Sequence, residues 1–209
     1  SGTIITRDAL AVIILAAGAS LRMGEPKQLV KWNDKTLLDH AIETALQVSP
    51  HQIIVVTGAN SDLIARQTQG KCVTPIYNPE WRTGMGSSVR CGMQTLLRNS
   101  PGIQAVLLMV CDQPLITPAH LLTLVETDGI SQLISATQFD NRLGVPAVFG
   151  RRFFGELSNL QGDEGARRII RDNPQFVISS RFEPAAMDVD TLEDLNKAEM
   201  MRNQTDKQN

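Results

Sequence analysis

The sequence predicts an α/β fold: a mainly parallel sheet with helices on both faces. Three observations carry that expectation. Short apolar, β-branched runs recur along the chain. Segments with apolar residues at helical spacing alternate with them over the first two thirds. The strand-like runs are apolar throughout rather than alternating, as expected of strands covered on both faces.

Residues 11–16 open on Ala11-Val12-Ile13-Ile14 and read as a central strand. Over 36–48, Leu38, Ala41, Ile42, Ala45 and Leu46 recur at helical spacing, and Thr36 with Asp39 offers a capping box at the start. Residues 52–57 make a second strand, closed by Gly58; 61–69 a helix; 72–77 a third strand. Residues 87–98 suit a helix with Val89, Met93, Leu96 and Leu97 on one face, and 104–111 a fourth strand. Thr117-Pro118 starts another helix, a capping hydroxyl followed by Pro in the first turn.

Beyond about residue 133 the rhythm is less regular. Short strands are expected at 133–137, 145–149 and 176–179, and a helix at 163–171 with Asp163 at its N-terminus. A closing helix spans 191–201, where Thr191 and Asp194 offer a second capping box. The polar tail, 202–209, is expected to fray. With 209 residues and no repeat or linker, a single domain over 1–209 is expected.

A net charge of −2 and a pI near 5.9 leave no electrostatic footprint for nucleic acid. No apolar run approaches the roughly 20 residues that span a bilayer, so no membrane partner is expected. Cys72, Cys91 and Cys111 have neither disulfide nor zinc spacing and argue for a reducing compartment. No secretory leader is visible, and Ser1-Gly2 reads as a cloning remnant. A cytoplasmic location follows as the expectation.

In such sheets ligands sit at the carboxyl ends of the strands. Leu15 to Gly18, Gly58, Asn78 and Cys111-Asp112 all fall at those ends and would line one rim. The most informative stretch is LAAGASLRMGEPK, Leu15 to Lys27. Small residues at a strand end let a ligand lie against bare backbone N–H groups, and Arg22 and Lys27 suit phosphates. A P-loop is excluded, because Glu25-Pro26 separate Gly24 from Lys27 and Gln28 follows. The dinucleotide fingerprint is absent, Gly18 and Gly24 being too far apart. Asp112 ends an apolar strand; it suits a turn residue or a magnesium ligand, since magnesium takes few carboxylates plus waters and phosphate oxygens.

The stretch is similar to the LAAGxxxRMGxxK signature of the MobA-like nucleotidyltransferases. Four further stretches carry the likeness in family order: Asn78-Pro79-Glu80-Trp81 leading into Gly84-Met85-Gly86-Ser87-Ser88-Val89; Cys111-Asp112-Gln113-Pro114; Gly162-Asp163-Glu164-Gly165-Ala166-Arg167; and Asp188-Val189-Asp190-Thr191 before Glu193-Asp194-Leu195. Within the family the chain most resembles the molybdenum cofactor cytidylyltransferases. The resemblance implies a Rossmann-like three-layer α/β/α domain with a mixed, mainly parallel sheet, of the nucleotide-diphospho-sugar transferase type. The N-terminal part would bind nucleotide and about 130–190 the acceptor.

The implied activity moves CMP from CTP to a molybdopterin-type cofactor phosphate, releasing pyrophosphate, with Mg2+ as cofactor and a molybdoenzyme as a further partner. Arg22, Lys27 and Asp112 are the implied catalytic residues. Leu15, Ala16, Ala17, Gly18, Lys27, Asn78, Gly84, Ser87 and Ser88 are the implied nucleotide site, and Asp112 and Asp190 the metal ligands, with Asp188 as the rival to Asp190. Ser88 also suits a helix N-cap. Ala16-Ala17, where guanylyl-transferring relatives carry a second glycine, favour cytidine. Val145, Pro146, Asp163 and Arg167 are the implied acceptor residues; many members carry His where Val145 stands. Trp32, Trp81 and Met85 read as packing or loop anchors, and His40, His51 and His120 as structural or exposed. Two alternatives stand beside this: the same transfer with another base or a sugar- or polyol-phosphate acceptor, and a noncatalytic cofactor chaperone.

Overall fold

One seven-stranded sheet is built around the most apolar run of the chain. The structure, a computed structural model, describes residues 9–19, 21–22, 24–189 and 192–208. Strand β1 (Leu10–Ala16) is buried along its whole length. Two small antiparallel ribbons follow, β2 (Leu21–Arg22) with β3 (Glu25–Pro26), and β4 (Lys31–Trp32) with β5 (Lys35–Thr36). The sequence reading does not contain them, because two-residue strands have no hydrophobic period to detect. Helix α1 (Leu37–Leu46) begins where Thr36 Oγ1 accepts the Asp39 N–H at 3.0 Å, the expected cap.

Strand β6 (Gln52–Thr57), helix α2 (Ser61–Gln67), strand β7 (Thr74–Tyr77), helix α3 (Met85–Asn99) and strand β8 (Ala105–Val110) complete the regular part. Helix α4 (Pro118–Val125) starts at the Thr117 cap, whose Oγ1 accepts the His120 N–H. Strands β9 (Ile134–Phe139) and β10 (Arg142–Gly150) form a hairpin longer than the two short strands expected. Helices α5 (Phe154–Ser158) and α6 (Arg167–Asp172), strand β11 (Val177–Arg181) and helix α7 (Leu192–Asp206) end the chain.

The strand order is β11-β9-β10-β8-β1-β6-β7. Every pairing is parallel except those of β10, which runs antiparallel to β8 and β9. The sheet is therefore mixed and mainly parallel, as expected. Successive β1 side chains face opposite layers. Val12 and Ile14 pack with Leu38 and Ile42 of α1 and Leu121 of α4. Ala11 and Ile13 pack with Val89, Met93 and Leu96 of α3 and Leu157 of α5. That alternation within one buried strand makes the three layers.

Three boundaries differ from expectation. Helix α3 starts at Met85 behind a Gly84 cap, so Ser88 lies inside its first turn and is not the N-cap. Helix α6 starts at Arg167, because 161–164 are taken up packing on the first turn of α3, where Gly86 N–H donates to Gly162 O at 2.9 Å. The tail from Arg202 is helical as far as Asp206. Its polar composition is offset by the i,i+4 pairs Lys197–Glu193 and Arg202–Asp206 and by the Arg202 guanidinium 5.2 Å from the Trp32 ring. Thr191 lies outside the described residues.

Candidate functional site

Parallel pairing of β1 with β8 places Leu15 against Val110, so both chains leave the sheet side by side. At that exit lies a cavity of about 370 Å3, within the usual range for small-molecule sites. Of the residues singled out in the sequence, Leu15, Ala16, Ala17, Gly18, Lys27, Gly84, Ser88 and Asp112 lie on its wall. Residues 70 or more positions apart meet there because the βαβ crossovers return each strand in the same direction.

The ribbon β2–β3 decides where Lys27 stands. It pairs Arg22 with Glu25 and Leu21 with Pro26, turning the chain back toward the sheet. Pro26 then leads into a one-turn 3-10 helix, Lys27–Leu29. From there Lys27 Nζ donates to Asp112 Oδ2 at 2.8 Å. Both side chains are largely withdrawn from water, 14% and 29% exposed. Arg22 is described by its backbone alone.

Asp112 is also tied by its backbone: its carbonyl accepts the Val189 N–H at 3.0 Å. That bond brings the segment around residue 189 onto the end of β8. Asp188 is exposed beside it, and Asp190 lies outside the described residues. Gln113 Nε2 donates to Val145 O at 3.1 Å and to Ala185 O at 3.0 Å, fastening the register slip of β10 and the 3-10 turn Glu183–Ala186 to the same strand end. Among the described residues no group of three or more His, Cys, Asp or Glu gathers in a metal cage. The donor set, one part-exposed carboxylate at a cavity wall, nevertheless fits a hydrated divalent cation completed by phosphate oxygens. Cys111, next in the chain, is buried and donates from Sγ to Leu15 O. Burial, then the neighbouring Asp112 charge, push its thiol far above the ordinary range, so it is no nucleophile.

The facing wall is made by 78–88. Asn78 is buried, and its Nδ2 donates to Ser87 Oγ at 2.9 Å and Ser88 Oγ at 3.0 Å, while Oδ1 accepts the Glu80 N–H. The Ser87 hydroxyl is shared between the Glu80 and Gly84 carbonyls. Asn78 and Ser87 therefore brace the wall from behind rather than line it. Gly84 has φ 123°, and any side chain there would run into Asp163 and the Gly162 backbone. Gly58 is equally constrained, since a Cβ would collide with Trp81. That close approach seats Trp81 at the cavity, with the Arg82 guanidinium 4.5 Å from its ring.

Of the acceptor candidates, none lies on the cavity wall. Asp163 packs against Gly84 at the lip. Val145 and Pro146, joined by a cis peptide, lie where β10 slips register between Gly144 and Ala147. The Arg167 guanidinium reaches the same place, beside Gly144. Thr137 Oγ1 donates to Pro146 O at 2.6 Å and takes a hydrogen bond from His120 Nε2 at 2.8 Å. His120 also stacks on Phe182, and burial lowers its pKa.

Sequence reasoning missed Gln28 and Arg82 and took Trp81 and Met85 for anchors; all four line the cavity. Gln28 is 6% exposed, and its Nε2 donates to the carbonyls of Ala16 and Gly18, both at 3.0 Å. Its Oε1 is buried with no partner among the described residues, a cost of about 1–3 kcal/mol. Only its place next to Lys27 could have flagged it.

The model of the MobA-like NTP transferase domain matches residues 12–177 of the chain. The chain is 30% identical over 193 residues to nicotine blue oxidoreductase of Paenarthrobacter nicotinovorans, covering 88% of this chain and 93% of that protein. It is 32% identical over 165 residues to the bifunctional protein GlmU of Francisella tularensis, covering 78% of this chain and 35% of that protein. Among solved structures, Rv0371c of Mycobacterium tuberculosis superposes with a TM-score of 0.74 at 29% identity, covering 91% of this chain and 98% of that one. A second structure of Rv0371c is a complex with manganese, at TM-score 0.72 and 27% identity, covering 90% and 97%.

Proposed function

The chain belongs to the MobA-like NTP transferase family, and from that premise we propose that it transfers CMP from CTP to the phosphate of a molybdopterin-type cofactor. The observation that carries the reading is the Lys27–Asp112 contact at the joint end of β1 and β8, on the wall of a nucleotide-sized cavity. An acceptor phosphate oxygen forms the new bond to the α-phosphorus. The bond from that phosphorus to the bridging oxygen breaks, and pyrophosphate leaves with the electron pair.

The acceptor is already an anion, so no side chain has to remove a proton, and the wall needs no catalytic histidine or cysteine. The protein's part is positioning and charge stabilisation. Lys27, with Arg22, meets the triphosphate and the charge growing on the leaving group. The backbone of 15–18 receives the nucleotide, and Ser88, held by Asn78, faces it from the opposite wall. Asp112 with Asp190 would hold a divalent cation, magnesium in this reading, which supplies charge neutralisation on the phosphate oxygens. Manganese bound to a family relative supports use of such an ion. Val145, Pro146, Asp163 and Arg167 would shape the acceptor side.

The test is pyrophosphate release measured for CTP, GTP and ATP, each against a molybdopterin-type phosphate and against sugar and polyol phosphates. Turnover with CTP and the pterin phosphate is expected; turnover only with a sugar or polyol phosphate would replace the acceptor. Tight binding of the pterin with no turnover on any triphosphate would make the chain a cofactor chaperone. The likeness to nicotine blue oxidoreductase raises one more reading, and reduction of nicotine blue by an added nicotinamide hydride donor, dependent on the chain, would establish it. The match of residues 12–177 to the NTP transferase domain favours the phosphate reading.

A further inference from the structure

We propose that Gln28 is a positioning residue that sets the peptide orientation of the strand-end loop on which nucleotide binds; the inference rests on the reading of the cavity just given. Three observations converge. Both N–H bonds of the Gln28 amide are spent on the loop, on the carbonyls of Ala16 and Gly18. The side chain is buried at the cavity wall, beside Lys27. Its own oxygen is buried without a partner among the described residues, so the donors and not the acceptor account for an amide at this position.

The consequence follows from peptide geometry. In a planar trans peptide the C=O and the next N–H point in opposite directions. Holding the Ala16 and Gly18 carbonyls on Gln28 therefore turns the N–H groups of Ala17 and Ala19 away from it. Ala17, Gly18 and Ala19 all line the cavity, and none carries a side chain larger than methyl. A row of N–H groups turned out in this way is a receptor for anionic oxygen. β1 ends at Ala16, and the Ala59 N–H on the Ala17 carbonyl, at 3.3 Å, holds the peptide between the two that Gln28 ties.

Gln28 thus acts through the loop and need not touch the reacting atoms. Replacing its NH2 by oxygen would set a carboxylate against two carbonyls, and replacing the whole amide by a thioether would merely release them. The experiment compares Gln28→Glu and Gln28→Met with the wild type. It reads CTP affinity by calorimetry in magnesium buffer, steady-state constants for nucleotide and acceptor, and thermal midpoints. We expect the nucleotide Kd and KM to rise by about tenfold or more, with Glu worse than Met. The acceptor KM, kcat at saturating nucleotide and the thermal midpoint of the Met variant stay near wild type. Nucleotide affinity within about twofold of wild type in both variants would overturn the role of Gln28 alone. So would equal losses for nucleotide and acceptor together with a lowered midpoint, the mark of a merely structural side chain. A wild-type chain that binds no nucleoside triphosphate would overturn the reading of the cavity itself, and this proposal with it.

Discussion

At the scale of single residues, the site turns on one ion pair between side chains 85 positions apart. Lys27→Ala removes a preorganised cation, and turnover is expected to fall by about 10²–10³ with the fold intact. Stopped assays of pyrophosphate release beside a circular dichroism spectrum check it; a rate near wild type removes Lys27 from the catalytic set. Asp112→Asn keeps the shape but halves the negative charge offered to a cation. The metal concentration for half-maximal activity is expected to rise by at least about tenfold, read from a magnesium titration. An unchanged titration would leave Asp112 as a turn residue that happens to meet Lys27. Lys27 and Asp112 were both legible in the sequence, because each sits in a motif at a strand end. Asn78 and Ser87 were legible as positions but not in their manner of action, since a motif does not say which atoms a side chain spends on its own loop.

At the scale of elements, the 78–88 loop and the α4–β9 contact each carry a measurable consequence. Gly84→Ala puts a methyl group at φ 123° against Asp163 and the Gly162 backbone. It is expected to cost about 1–3 kcal/mol, seen in urea unfolding, and to raise the nucleotide KM because the wall moves. His120 links α4 to Thr137 and Phe182 in a buried contact, and its pKa is lowered because burial disfavours the charged ring. A depressed folded value means that the unfolded chain binds the proton more tightly. The stability it contributes is complete above the unfolded value of 6.5 and is lost as pH falls through the folded one. Thermal midpoints between pH 8 and pH 5 are expected to fall less in His120→Gln than in wild type; parallel curves would show that His120 does not titrate on unfolding. The elements themselves were readable wherever an apolar period ran for two turns or a full strand, as in α1 and β8. The ribbons β2–β3 and β4–β5 were not, because two-residue pairs are decided by where the chain must turn.

At the scale of the whole molecule, a ligand held between the β1–β8 exit and the 78–88 wall bridges parts of the chain that only folding brings together. A ligand that binds the folded state alone adds about 2.7 kcal/mol at a hundred times its dissociation constant. CTP with magnesium is therefore expected to raise the thermal midpoint, and a chelator to cancel most of the gain; no shift with any triphosphate would count against the nucleotide site. By itself the sequence determined the layers and the sheet's parallel core, because burial on both faces demands continuous apolar strands joined by amphipathic helices. It also determined which strand ends carry cations, small residues and acids. Only the tertiary structure decided that Lys27 reaches Asp112, that Gln28 spends its amide on the Ala16 and Gly18 carbonyls, and that Trp81 and Arg82 stand at the cavity. Those are contacts between segments whose approach depends on the crossover paths and the turn at Pro26, and no local pattern of residues encodes a distance across the sheet.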